Sequence, residues 1–232
     1  MRKGFSIIEL VLIIIILSVL STAGIMYMPD NKLRQAADSL ISNLKYTKIL
    51  AQTDDRYYSM HDGSMPSSVN LNKQMENWRK GMWQFQIHLD GSNARGSYSI
   101  YADTARTSNT TNFDGRPMDG DLIAKDPINM SCLSGYTISN LPKECENNIS
   151  REVRLSEIFG VNKIDITLDG SCKENGTARI LFDNKGMPYC GRTPIKMKTT
   201  SKIILTKGKK TATICVTPNG LIYGSNSSNC NV

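Results

Sequence analysis

The chain has 232 residues, 40% of them hydrophobic, with a formal charge of +7. That length holds one apolar helix and one globular domain of about 175 residues, with no room for a second large domain. No nucleophile, base and orienter set, no phosphate loop and no metal-ligand cluster stands out, which points away from an enzyme.

The chain opens with MRKGFSIIELVLIIIILSVLSTAGIMYMP. Arg2 and Lys3 precede Gly4, and the 24 residues from Phe5 to Met28 carry one charge, Glu9. A helix over that run would be about 36 Å long, against about 30 Å of hydrocarbon in a bilayer, so it is predicted to span a membrane. A conventional secretory signal places its small-residue cleavage site after the apolar run and discards it. Here Gly4 lies before the run, so cutting between Gly4 and Phe5 would leave the apolar helix as the new N-terminus. A carboxylate inside an apolar run costs about 2.5–3.5 kcal/mol on insertion scales and marks a function or a partner. Glu9 lies four residues from Phe5 and shares its helix face.

Gly4-Phe5-Ser6-Ile7-Ile8-Glu9-Leu10 resembles the signature of type IV pilins and pseudopilins. The resemblance implies that a prepilin peptidase cleaves after Gly4 and methylates Phe5. It also implies that Glu9 of one subunit pairs with the Phe5 amine of the next as helices stack in a filament. The partners implied are other pilin subunits, the peptidase, an inner-membrane assembly platform and the membrane itself; no cofactor is implied. The expected location is the bacterial inner membrane, with a single pass and the C-terminal domain in the periplasm, before assembly into a pilus or pseudopilus.

After Pro29 the helix is predicted to resume after a kink. Leu33, Ala37, Leu40, Leu44 and Thr47, with Ala36, Ile41 and Ala51 beside them, form an apolar stripe that runs to about Thr53. Residues 54–77 read as a polar loop holding His61. Trp83, Phe85, Ile87 and Leu89 then alternate with Gln84, Gln86 and His88, which reads as a half-buried strand with His88 facing solvent. A second strand is expected over Tyr98–Ala102. In the polar stretch that follows, Asp114, Asp119 and Asp121 form a carboxylate-rich loop of the kind that gathers calcium, but their spacing fits no EF-hand, and a plain surface loop is the favoured reading with no metal site. Asn148-Ile149-Ser150, with Glu146 two places before the Asn, is a glycosylation triplet.

The six cysteines, 132, 145, 172, 190, 215 and 230, all lie in the second half. None makes a CxxC and both histidines lie upstream, so disulfides in an oxidising compartment are expected instead of zinc. Of the 15 possible connectivities, the sequential one (Cys132–Cys145, Cys172–Cys190, Cys215–Cys230) is favoured, because each bond closes a loop around one predicted turn.

The last seventy residues contain an echo. Thr177–Phe182 followed by Gly186-Met187-Pro188-Tyr189 recurs as Thr211–Val216 followed by Gly220-Leu221-Ile222-Tyr223. Each copy reads as strand, turn and short return strand. With strands at Ile164–Leu168 and Lys202–Thr206, the C-terminal half is predicted antiparallel and β-rich. This pattern resembles the GspH/FimT class of minor pseudopilins and minor pilins.

The expected fold is therefore α+β: a long N-terminal helix, membrane-spanning in its first half and amphipathic in its second, packed on an antiparallel β-rich domain. The segments are 1–4 (cleaved leader), 5–28 (transmembrane or filament-core helix), 29–53 (amphipathic continuation) and 54–232 (periplasmic domain). The expected function is a structural subunit of a type IV pilus, type II secretion pseudopilus or competence pilus. Charge motivates an alternative. From Asn184 to Val232 there are eight Lys or Arg and no acid, and Arg192, Lys196, Lys198, Lys202, Lys207, Lys209 and Lys210 would suit the phosphates of DNA during uptake. A signal-anchored periplasmic enzyme or adhesin is the third reading.

Overall fold

Phe85 lies between Ile100 and Ile180 on neighbouring strands, and all three side chains are buried against one helix. The computed structural model describes residues 7–26, 31–54, 70–89, 96–105, 113–136, 141–172, 174, 176–225 and 228–230, with the side chains of Glu9 and residues 19–26 set aside. The chain divides into two compact units, Met1–Asn31 and Lys32–Val232.

The first unit contains helix α1 (Ile7–Met26). The second contains α2 (Lys32–Thr53), α3 (Leu71–Glu76), α4 (Leu155–Phe159) and ten strands. In chain order these are β1 (Trp83–His88), β2 (Ser97–Ala102), β3 (Leu122–Ile123), β4 (Lys163–Thr167), β5 (Thr177–Phe182), β6 (Pro188–Cys190), β7 (Ile195–Lys196), β8 (Ser201–Lys207), β9 (Lys210–Val216) and β10 (Ile222–Ser225). They form two antiparallel sheets, ordered β3-β2-β1-β5-β6-β7 and β10-β9-β8-β4.

Two expectations are corrected here. The helical region is two helices, and the architecture is mostly β: α2 packs on the sheets while α1 belongs to the other unit, so there is no single long N-terminal helix. Pro29 and the expected kink lie outside the described residues. Among the described residues, moreover, no helix is long and apolar enough to cross a membrane, which overturns the single-pass inner-membrane location.

The second unit is built around α2. Its stripe Leu33, Ala36, Ala37, Leu40, Leu44, Thr47 and Ala51 is buried, as the three- and four-residue spacing predicts. The stripe contacts β1 and β5 of one sheet and β8, β9 and β10 of the other, so one helix fills the space between both cores. Trp83, Phe85 and Ile87 meet it from the six-stranded sheet; Ile203, Leu205, Ile214, Val216 and Ile222 meet it from the four-stranded one.

Both copies of the sequence echo are hairpins, but they lie in different sheets: β5–β6 in one and β9–β10 in the other. Their turns meet beside α2. A Cβ built on Gly220 (φ 78°) would lie 2.5 Å from the Gly186 carbonyl oxygen, and Lys48 Nζ donates to the Gly220 carbonyl at 2.9 Å. Only glycine fits that approach and that positive φ.

The disulfides are Cys132–Cys145, Cys172–Cys190 and Cys215–Cys230, with Cα separations of 5.5, 5.7 and 5.7 Å. They fit an oxidising compartment. The last of them ties the C-terminal tail to the outer face of the four-stranded sheet, where Lys202 Nζ also donates to the Ser228 carbonyl (3.1 Å).

Candidate functional site

The first candidate is the N-terminal unit. Gly4 and Phe5 lie outside the described residues, and Glu9 is described only as part of the α1 backbone. The described side chains around it, Ile7, Ile8 and every residue from Leu10 to Leu17, are apolar and exposed, Ile7 to 81% and Ile8 to 76%. A helix that is apolar on all sides is one that packs inside something larger than itself.

The second candidate is the other face of the six-stranded sheet. Alternation puts Gln84, Gln86, His88, Ser99, Tyr101 and Arg179 on this face, away from α2, yet all six are buried. His88 therefore does not face solvent, because the segment carrying Gly135 and Tyr136 lies over it. Gly135 N donates to Ser99 Oγ (2.9 Å), and His88 Nε2 shares a hydrogen bond with the same hydroxyl (3.0 Å). The His88 ring stands edge-on to Tyr136, centroids 4.6 Å apart. Burial, assisted by the positive charge of Arg179, lowers the His88 pKa to about 3, so the ring is neutral.

Arg179 is the centre of this layer. It pairs with Glu174, the two side chains being 8% and 3% exposed, and its Nη2 donates to the Gly115 carbonyl (2.8 Å). The Gln86 carboxamide is satisfied when its oxygen accepts from Arg179 Nη2 (2.8 Å) and Nε (3.3 Å) and its nitrogen donates to Tyr101 Oη (2.9 Å). Burial pushes the Glu174 carboxyl up, against the pull of Arg179. These groups pin the covering loop to the sheet.

Beside them, the expected carboxylate loop is reorganised. Asp119 is exposed and stays out, while Asp103 joins Asp114 and Asp121, their nearest carboxylate oxygens within 4.8 Å of one another. Each accepts backbone amides: Asp121 from Thr104 (3.0 Å) and Met118 (2.9 Å), Asp103 from Gly115 (2.8 Å), Asp114 from Arg116 (2.9 Å). These bonds anchor the loop around Gly115 to the end of β2. No signal in the sequence joined Asp103 to the cluster, since the residue follows a strand end by one position.

The seven basic residues fall at separate places. Lys207, Lys209 and Lys210 share the tip of the β8–β9 hairpin, where Lys207 pairs with Lys210. Lys202 lies five positions down β8, about 17 Å away along the strand. Lys196 is on the edge strand β7, and the Lys198 amide donates to Asp169 Oδ2 (2.7 Å). Arg192 lines a small cleft near Arg179. His61 lies outside the described residues. Asn148 is exposed and its amide donates to the Met130 carbonyl (3.2 Å), while Ser150 of the same triplet is buried.

Comparison with protein-family models, with curated proteins and with solved structures finds no match for this chain.

Proposed function

We propose that the chain is a minor pilin or pseudopilin, a structural subunit of a type IV pilus, type II secretion pseudopilus or competence pilus, processed by a prepilin peptidase between Gly4 and Phe5. One observation carries the reading: the sequence from Gly4 to Leu10 matches the signature, and in the helix that begins at Ile7 the side chains of Ile7, Ile8 and Leu10 to Leu17 are apolar and exposed. Moving such side chains out of water contributes about 1.5–3 kcal/mol each, so packing α1 helices together would drive assembly. Glu9 and the freed amine of Phe5 on the neighbouring subunit would neutralise each other inside the filament and fix the axial step. The disulfide-linked second unit would then face outward.

Replacing Glu9 tests this. In a strain producing the filament, Glu9→Ala abolishes recovery of the subunit in the sheared filament fraction while the cell-associated amount and the three disulfides are retained. Recovery of the variant at the native level would remove the assembly role.

A further inference from the structure

His88 is fully buried, and among the described residues its Nδ1 has no hydrogen-bond partner. The other ring nitrogen meets Ser99 Oγ at 3.0 Å, and that hydroxyl also accepts from the Gly135 amide at 2.9 Å. The backbone at Gly135 lies flat on this pair: a Cβ there would stand 2.1 Å from Ser97 Oγ and 3.1 Å from His88 Cδ2. Tyr136 closes the remaining side, edge-on to the ring. A neutral imidazole leaves one site unmade here, whereas an imidazolium carries two N–H donors and the one on Nδ1 would face no acceptor. The closed arrangement therefore excludes the cation.

The segment that makes the seal is held unevenly. Cys132 is fixed by its disulfide and by the Asn148 carbonyl (2.7 Å), and Leu133 bonds both to Ile100 N (2.9 Å) and to the Ala124 carbonyl (2.8 Å). From Ser134 onward the contacts with the sheet run through the Gly135 amide and the Tyr136 ring, while Ser134 N and Tyr136 N bond within their own turn. Ser134 thus separates a fixed arm from a lightly held one.

Few charges face the ring among the described residues. β5 contributes Arg179, paired with Glu174, and its positive charge adds to the cost of a second cation. The covering loops contribute Arg116 and Asp114, which act on Tyr136, and β2 contributes Ser97 and Ser99 without charge.

We infer that His88, Ser99 and Gly135 form an acid-released latch: proton uptake at His88 undocks Ser134–Tyr136 from the six-stranded sheet while the rest of the second unit stays folded. In the undocked state both ring N–H groups reach water, so acid favours that state by mass action. Undocking bares His88 and Ser99 on a sheet face that is otherwise covered. The latch is independent of the filament role of α1.

The test is amide hydrogen exchange, read by NMR on the isotope-labelled full-length chain in detergent micelles at pH 7.5, 6.5, 5.5 and 4.5, with rates corrected for the intrinsic pH dependence of exchange. Protection of the Gly135 amide is expected to fall about tenfold for each pH unit below 6.5. It should lie roughly tenfold or more below that of the Phe85 and Ile180 amides at every pH, since a local opening needs less than the global one. Low urea, which promotes openings that expose much surface, should lower theirs and leave Gly135 unchanged. In His88→Gln, which keeps a partner for Ser99 but does not titrate, the pH dependence at Gly135 disappears. Protection at Gly135 that is flat with pH, that equals that of Phe85 and Ile180 and follows urea with them, or that keeps its slope in His88→Gln overturns the latch. Should the variant fail to fold, the comparison of the three amides in the native chain decides alone.

Discussion

His88 Nε2 lies 3.0 Å from Ser99 Oγ on a sheet face that the loop around Gly135 covers completely. The consequence is acid sensitivity. The folded pKa, lowered by burial and then by Arg179 to about 3, lies below the ordinary value of 6.5. As pH falls below 6.5 the unfolded chain takes up a proton that the folded chain refuses, so stability is full above that pH and is lost progressively toward pH 3. The histidine's share is about 1.4 kcal/mol for each pH unit well below 6.5. Urea unfolding at pH 7.5, 6 and 5 should show the native chain losing stability faster than His88→Asn by that slope.

Arg179 and Glu174 form an ion pair with almost no solvent contact. Removing one partner leaves the other charge buried, so Arg179→Met is expected to cost about 3–5 kcal/mol. Replacing both residues by methionine should cost less than the sum of the single changes, because the double variant strands no charge. Denaturant unfolding of the four proteins measures the coupling, and strict additivity would show that the pair does not act as a unit.

What could be read from the sequence depended on whether one side-chain period determined the answer. The α2 stripe from Leu33 to Ala51, the strands at 83–88 and 98–102, and both copies of the 34-residue echo follow periods of 3.6 or 2 and appear as predicted. The sequential cysteine pairing also holds, since each bond closes a loop of 13 to 18 residues around a local turn. Alternation failed at Gln84, Gln86 and His88 because a polar face reads as a wet one, and only the tertiary placement of the loop around Gly115 and Gly135 makes it dry. Helix α3 was hidden in a polar stretch: its one local signal is Asn70, whose side chain caps the Lys73 amide at 3.0 Å. A run of 24 residues with a single charge suggested a membrane span, whereas among the described residues no helix is long and apolar enough to cross a membrane.

The meeting of the two hairpin turns is open to a direct test. Gly220→Ala forces a Cβ toward the Gly186 carbonyl and strains a positive φ, with an expected cost of about 1–3 kcal/mol. Gly208→Ala is the control, since it has a positive φ of 58° but open space around it, and about 1 kcal/mol is expected there. Thermal melts of the two variants should differ; equal melting temperatures would mean that the approach of the turns is relieved at little cost.

The Cys215–Cys230 bond holds the tail on the four-stranded sheet. Replacing both cysteines by serine is expected to cost about 3 kcal/mol for a loop of that size, with the other two disulfides still formed. Denaturant unfolding gives the loss, and peptide mapping without reductant checks the remaining pairs. A mixture of new pairings in the native chain would contradict the sequential connectivity.

The filament-subunit reading rests most heavily on processing at the N-terminus. N-terminal sequencing and intact mass of the protein recovered from its native cells test it directly. A chain beginning at N-methylated Phe5, with Met1 to Gly4 removed, is the predicted result. A chain still beginning at Met1 would contradict prepilin processing, and Glu9 would then have no amine to meet.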